Sequence, residues 1–244
     1  MIIGNIEYTC KGLSNLPSIK EDRKLIVDTL GNQDTYHIDF NHSEHPAKID
    51  DYTNVEGIIG QVEEFIEEVE EKVTEARGKG GEADTLLLFF LCHGGKVHGI
   101  DCLIGVDGKP YPVNSILHKI LEKRCAKKVI MILDCCRNKL DPKQFPLADK
   151  EISNAGGITA FEKVIRIWST EETHMATALS GATFSEALCE VLEKYSNGVK
   201  LESLERILNE HWGETQRQHP KMGKVVYNCK VDLSKDYDFI FPCK

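Results

Sequence analysis

A histidine and a cysteine, residue types with complementary chemistry, each follow directly on a strongly apolar run. His93 comes after TLLLFFLC, and Cys136 comes after KKVIMILDC. A thiol within hydrogen-bond reach of an imidazole yields a thiolate at neutral pH, which attacks a peptide carbonyl while the imidazolium protonates the leaving amine. The pair therefore indicates nucleophilic chemistry on an amide, provided that the fold brings the two residues together.

The neighbours of the pair fit the same chemistry. Successive side chains of a strand alternate between its two faces, so Asp134 and Cys136 are predicted to share a face. Cys135 then points the other way and packs in the core. Gly94 lets the backbone approach a substrate closely, so its N–H and that of Cys136 are candidate donors to a tetrahedral oxyanion.

The pattern of apolar residues predicts the strands and helices that would position these residues. The runs TLLLFFL and KKVIMIL have the length and composition of central strands that are buried on both faces. Further strands are predicted at 1–4 and 35–40 and in EKVIRIWS and DYDFIF, with helices over 18–30, 54–76, 113–123, 184–195 and 201–212. This alternation predicts an α/β fold with a mostly parallel central sheet of about six strands and helices on both faces. Functional groups in such folds collect beyond the carboxyl ends of the strands, where His93 and Cys136 lie.

Length and composition narrow the class of protein. The 244 residues suit a single domain over 1–244. The net charge of -9, without a dense basic stripe, argues against nucleic acid as a partner, and no apolar run suits a membrane span. The nine cysteines show no C-x-x-C spacing and the first residues lack a secretory signal, so we expect a cytoplasmic protein with free thiols.

The sequence resembles the caspase-like cysteine peptidases, most closely their paracaspase branch and next the metacaspases. IGNIEY resembles the paracaspase first strand, LLLFFLCHGG the strand and His-Gly motif, and VIMILDCCRN the Asp-x-Cys-Arg motif. IRIWST and FSEAL resemble the small-subunit strand and helix. The resemblance implies a cysteine endopeptidase with His93 as general base and Cys136 as nucleophile. It also divides the chain into a large-subunit-like segment over residues 1–138, a loop over 139–157 and a small-subunit-like segment over 158–244.

The resemblance also bears on specificity. Asp134 stands where the aspartate-cutting caspases carry glutamine, and a carboxylate there would pair with arginine or lysine. Metacaspases and paracaspases carry an acid at this position and cut after basic residues, which implies a basic P1 residue here, arginine over lysine. IKEDRKL resembles the segment that supplies their second S1 acid, and its spacing favours Glu21 over Asp22. Both acids fit equally well as first-turn residues of a helix.

Two further features of the substrate site follow from the resemblance. Trp168 and the backbone of Ser169 and Thr170 resemble the substrate-binding strand, to which a peptide adds as an extra strand. Trp168 fits equally well as a core residue. A third S1 acid is expected in some paracaspases after IRIWS, where this chain has Met175 at the best-matching position, with Glu171 and Glu172 earlier.

The resemblance also suggests binding partners, and two alternative functions stay open. The resemblance suggests a homodimer through the last strand at 239–241, and self-cleavage at the loop residues Lys139, Lys143 or Lys150 stays open. The substrates would be proteins or peptides with a basic P1 residue. Two alternatives are a catalytically idle caspase-like scaffold in a signalling complex and an aspartate-specific caspase, and Asp134 argues against the second.

No cofactor is expected. A zinc site would draw on ligand types that occur close together, namely Cys92, His93, His98 and Cys102. Cys92 and His93 would point to opposite sides of a strand, which argues against such a site. Calcium would need a cluster of oxygen ligands, for which Asp50, Asp51, Asp101 and Asp107 are available. The similarity to the paracaspase branch points away from calcium.

Overall fold

Parallel strands form the centre of the fold. The computed structural model describes residues 1–31, 52–53, 57–77, 83–123, 126–150, 152, 164–170, 183–195, 199–218, 230–233 and 240–241. Its main sheet contains β1 (Ile2–Gly4), β2 (Tyr52–Thr53), β3 (Ala83–Leu91), β7 (Ala126–Asp134), β8 (Val164–Trp168) and β10 (Lys230–Leu233). The strand order is β10-β8-β7-β3-β1-β2, and only β10 runs antiparallel to its neighbour. The predicted α/β fold with a mostly parallel sheet is confirmed.

Two small antiparallel sheets accompany the main sheet. One contains β4 (Gly94–Val97), β5 (Ile100–Ile104) and β6 (Pro110–Pro112) in that order. His98 and Gly99 join β4 to β5 with φ values of 53° and 82°, as in the two-residue turns that match the twist of a hairpin. The other pairs β9 (Val199–Lys200) with β11 (Ile240–Phe241).

Helices cover both faces of the main sheet. They are α1 (Ile19–Gly31), α2 (Ile58–Arg77), α3 (Val113–Lys123), α4 (Phe184–Lys194) and α5 (Leu201–Gln218). A hydrophobic core lies between the sheet and the helices on each face, and alternate residues of β3 pack into one core or the other. Phe89 and Leu91 pack with residues of α1, α4 and α5, whereas Leu88 and Phe90 pack with residues of α2 and α3. A strand buried on both faces therefore has an apolar residue at every position, which is the pattern seen in LLLFFL.

The edges of the predicted elements differ from the structure in several places. The predicted strand at 35–40 lies outside the described residues. Helix α5 continues to Gln218, beyond the predicted end at residue 212. The last strand also requires a correction: Ile240 and Phe241 pair with β9 rather than extending the main sheet, whose outer strand next to β8 is β10. Phe239 lies outside the described residues.

Candidate active site

His93 and Cys136 follow two paired strands in the same register. Leu91 of β3 lies opposite Asp134 of β7. One residue further, the N–H of Cys92 donates to the carbonyl of Asp134 at 3.3 Å. Since the two strands are parallel, His93 and Cys136 leave the sheet at the same edge and at equivalent positions. The structure thus brings the two predicted residues to one place through adjacent central strands.

The segment after His93 packs against the segment that carries Cys136. A Cβ atom on Gly94 would lie 2.8 Å from Cys135 Sγ and 2.9 Å from the Cys136 carbonyl oxygen. Glycine is therefore required at 94 because the two backbones approach more closely than any side chain allows. Two further hydrogen bonds extend this contact, from Lys96 N–H to the Asn138 carbonyl at 2.8 Å and from Leu140 N–H back to the Lys96 carbonyl at 2.9 Å.

The two adjacent cysteines lie in different environments. Cys135 is buried in the core between the sheet and helices α2 and α3, as predicted from strand alternation. Burial raises the pKa of its thiol well above the ordinary value. Cys136 is half-buried, so a molecule from solvent can reach it. Of the two thiols, only that of Cys136 has the exposure that a nucleophile needs.

The His93 imidazole is held by the loop between β1 and α1. Its Nε2 lies 2.8 Å from the Ser14 carbonyl oxygen, which can only accept a hydrogen bond. Nε2 must therefore carry the proton, and Nδ1 is left as the basic nitrogen. Burial lowers the pKa of His93, opposed by the Ser14 hydrogen bond, so the ring is neutral and able to take up a proton at neutral pH.

Asp134 is a half-buried acid held by hydroxyl groups. The Ser185 hydroxyl, near the start of α4, donates to Asp134 Oδ2 at 3.0 Å, and the Ser169 hydroxyl also hydrogen-bonds the carboxylate. Burial raises the pKa of Asp134 to about 6, although these hydrogen bonds act in the opposite direction. No cation in the described ranges of the chain is hydrogen-bonded to this carboxylate, so its charge is available to a ligand.

The acid next to Asp134 is Asp22 and not Glu21. Glu21 is exposed on α1, whereas Asp22 is buried and accepts a hydrogen bond from the Thr183 hydroxyl at 2.6 Å. The pKa of Asp22 is raised to about 7, mainly by burial and also by the charges of Asp134, Glu186 and Glu21, while the Thr183 hydrogen bond acts in the opposite direction. Of the two acids in IKEDRKL, the structure turns Asp22 toward Asp134 and leaves Glu21, which the spacing favoured, exposed. The S1 role of either acid stays a prediction.

Trp168 occupies the core instead of a substrate-binding surface. It is only 1% exposed, and the Arg137 guanidinium lies 4.1 Å from the centre of its ring. Its strand pairs with β7 on one side and, at Lys230, with β10 on the other. A peptide could add to this strand only beyond Trp168, at Ser169 and Thr170, which are also buried. The residues considered for a third acid, Glu171, Glu172 and Met175, lie outside the described residues.

An ion pair next to Cys136 ties the small hairpin to the sheet. Arg137 is buried and donates two hydrogen bonds to Asp101 of β5, from Nε at 3.2 Å and from an Nη atom at 3.0 Å. Sequence reasoning assigned Asp101 only to a hypothetical calcium site. The fork geometry of the guanidinium suits such a two-point contact with a carboxylate.

Metal ligands do not converge in the described ranges. Nowhere there do three or more His, Cys, Asp or Glu side chains lie together as they would around a metal ion. The four residues of the zinc alternative are all described and do not form a site, and Cys102 Sγ instead donates to the Ile100 carbonyl at 3.4 Å. Asp50 and Asp51 lie outside the described residues. None of the described helices has the length and apolarity of a membrane span.

Comparison with known proteins agrees with the fold. The sequence matches the family described as Caspase domain over residues 1–235. The structure is similar to caspase-1 from Spodoptera frugiperda, with a TM-score of 0.64, 14% identity and coverage of 100% of this chain and 88% of that one.

A structure of pro-sf-caspase-1 gives a TM-score of 0.63 at 15% identity, covering 100% of this chain and 89% of that one. A search of curated proteins finds no match to this sequence. The family match nevertheless spans nearly the whole chain, including both strands that lead to His93 and Cys136. The chain belongs to the caspase-domain family of cysteine peptidases.

Proposed function

We propose that this protein is a cysteine endopeptidase that uses His93 and Cys136 and cuts after a basic P1 residue, arginine over lysine. The observation that carries the proposal is the packing of the His93–Gly94 segment directly against the backbone of Cys136. This contact puts an imidazole, a reachable thiol and a glycine backbone at one edge of the sheet. Membership of the caspase-domain family supports the same chemistry.

The proposed reaction follows from the state of the imidazole. Nδ1 of His93 accepts the Cys136 thiol proton, and the thiolate attacks the carbonyl carbon of the scissile peptide. The N–H groups of Gly94 and Cys136 would stabilise the negative oxygen of the tetrahedral intermediate. The imidazolium then protonates the leaving amine, and the same histidine activates the water that hydrolyses the thioester.

The proposed specificity rests on two carboxyl groups. Asp134 and Asp22 come from β7 and α1, and the charge of Asp134 acts on Asp22. Hydroxyl groups of α4 and its cap hold both acids, through Ser185 and Thr183 respectively. A guanidinium carries its charge on a planar fork that meets carboxylates at two points, so arginine is favoured over lysine, and an aspartate would be repelled.

Peptides with a fluorescent leaving group and arginine, lysine or aspartate at P1 would test the proposal. We expect turnover after arginine that is lost in Cys136→Ala and in His93→Ala. Asp134→Asn and Asp22→Asn should each raise KM for the arginine peptide by about tenfold, the loss expected for one charge-assisted contact. Glu21→Gln removes an exposed charge from the same helix and is the matched control, with KM unchanged.

The same assay separates the competing functions. Turnover after aspartate would favour an aspartate-specific caspase, and the absence of turnover with every peptide in a dimer-promoting salt would favour a scaffold. Full activity of Asp134→Asn on the arginine peptide would contradict the pocket assignment while leaving the dyad intact. Turnover by the wild type that is lost in Cys136→Ala would show that this protein is an enzyme that uses the Cys136 thiol.

A homodimer is a further element of the proposal. Ile240 and Phe241, the described part of the last strand, pair with β9 within the chain, and among the described strands β10 is an outer strand of the main sheet that could pair with a second copy. Sedimentation over a range of concentrations, with and without a kosmotropic salt, would measure the association. A single monomeric species under all conditions would contradict the dimer.

A further inference from the structure

Tyr8 contacts His93 in two ways. Its hydroxyl accepts a hydrogen bond from the backbone N–H of His93 at 2.8 Å. Its ring lies beside the imidazole, with the ring centroids 4.6 Å apart and the ring planes tilted by 57°. The same loop supplies the Ser14 carbonyl that meets Nε2. One loop therefore holds the main chain, the ring and one ring nitrogen of His93.

Tyr8 is itself fixed by its neighbours. Its backbone N–H donates to Asn15 Oδ1 at 2.9 Å, and the Asn5 side chain hydrogen-bonds its hydroxyl. Asn5 is fully buried and also donates from Nδ2 to the Ile104 carbonyl at 3.3 Å. Burial raises the pKa of Tyr8 above its ordinary value, so the hydroxyl stays neutral. A neutral, anchored phenol can support a histidine without changing its charge.

We propose that Tyr8 is a positioning residue for peptide hydrolysis, and that it holds the His93 imidazole in the orientation that directs Nε2–H to Ser14 and leaves Nδ1 for the Cys136 thiol. The inference rests on the proposed function, because it requires His93 to act as the base. Without the two Tyr8 contacts the histidine backbone and ring can shift. Displacement of a reacting group by about 1 Å is enough to lower a rate by about 100-fold.

The test measures kcat and KM of the full chain on the arginine peptide as a function of pH. Tyr8→Phe keeps the ring and loses the hydroxyl, so kcat should fall by about tenfold with KM unchanged. Tyr8→Ala also exposes the imidazole to water, which raises the pKa of His93. The acid limb of kcat/KM should then move to higher pH. Tyr195→Phe removes a phenol hydroxyl at the end of α4 and should match the wild type.

A second pair of variants acts on Tyr8 through an exposed residue and so avoids a failure to fold. Asn15→Ala removes the acceptor of the Tyr8 N–H and should lower kcat by about threefold or more, whereas Asn15→Asp keeps an acceptor and should restore it. The thermal midpoint of each variant checks folding.

The outcomes distinguish the positioning role from the dyad. If Tyr8→Phe and Asn15→Ala match Tyr195→Phe while His93→Ala is inactive, the positioning role is wrong and the proposed function stands. If Tyr8→Phe does not fold, the Asn15 pair decides alone. Turnover retained in His93→Ala would overturn the dyad and the role of Tyr8 with it.

Discussion

The adjacent thiols of Cys135 and Cys136 differ in how deeply they are buried. Cys135 Sγ occupies the space that a Cβ atom at position 94 would need. Burial raises the pKa of the Cys135 thiol. Cys136 is half-buried just beyond the end of β7. A buried thiol with a raised pKa contributes packing rather than nucleophilic chemistry.

Alanine at each of the two positions should therefore give opposite results. Cys136→Ala is expected to abolish turnover with little change in the free energy of unfolding. Cys135→Ala should retain turnover and lower the free energy of unfolding by about 1 kcal/mol, because it leaves a small cavity. Peptide assays and urea denaturation measure the two effects. Equal loss of activity in both variants would contradict the division of roles.

At the residue scale, strand alternation predicted that Cys135 is buried, whereas helix spacing did not predict that Asp22 is the buried acid of α1. Cys135 and Cys136 follow β7 directly, and continuing the two-residue period of the strand assigns their faces. Glu21 and Asp22 are adjacent in the first turn of α1, and the spacing alone does not tell which of them is buried. Tyr8 carried no motif signal beyond its place in IGNIEY, because its role depends on a strand end far away in the sequence.

At the scale of elements, the contact between β4 and the segment that follows β7 should be sensitive to the volume of the side chain at position 94. Gly94→Ala places a methyl group 2.9 Å from the Cys136 carbonyl, and a backbone atom cannot move aside as a flexible side chain can. We expect the free energy of unfolding to fall by about 1 to 3 kcal/mol and kcat to fall by about 100-fold.

Gly60→Ala is the matched control for this substitution. Gly60 lies in α2, and a Cβ there would meet nothing within 4 Å. Because alanine is the better helix former, Gly60→Ala should stabilise the protein by about 0.5 to 1 kcal/mol without changing turnover. Unchanged kcat in Gly94→Ala would contradict the close approach of the two segments.

The ion pair between Arg137 and Asp101 should stabilise the docking of β5 on the main sheet. Arg137→Ala leaves Asp101 without its fork of donors and removes the contact with Trp168, so we expect a loss of about 3 kcal/mol. The surface pair between Arg206 and Glu210 is a matched control, and Arg206→Ala should change stability by less than about 0.5 kcal/mol.

A double variant with Asp101→Asn would show whether the two residues act together. Its loss should be smaller than the sum of the single losses, because each single change already breaks the same contact. Denaturant unfolding of the four proteins measures this coupling. Additive losses would mean that the residues stabilise the protein independently.

The elements themselves were predictable in proportion to their length and apolar content. The sequence pattern located β3, β7 and α3, since each has a continuous or periodic apolar run. It did not locate β2 or β10, which have two and four residues and follow no run of that kind. Short strands form because a neighbouring strand offers hydrogen-bond partners, and that information is not local in the sequence.

For the molecule as a whole, the buried acids should make stability depend on pH. The pKa of Asp22 is raised from 3.8 to about 7, and that of Asp134 is raised from 3.8 to about 6. Between about pH 4 and about pH 7 the native state therefore binds more protons than the unfolded state. The free energy of unfolding should fall as the pH rises through this range.

Asp22→Asn should remove much of this dependence. The amide can still accept the Thr183 hydrogen bond but has no charge to bury, so the variant should be more stable than the wild type at pH 8 by about 2 to 4 kcal/mol. The difference should largely disappear near pH 4. Urea denaturation at both pH values measures it, with Glu21→Gln as the exposed control. A difference that is constant with pH would contradict the raised pKa of Asp22.

The position of β8 between β7 and β10 has a consequence for chain continuity. β7 precedes the segment 139–157 in the chain and β8 follows it, yet the two strands pair side by side and share a core with α1 and α4. A break in the chain between Lys150 and Val164 would cut none of the strands that the structure describes. The two fragments, expressed from separate genes in one cell, should therefore assemble into a single particle that copurifies through one affinity tag and separates only in denaturant.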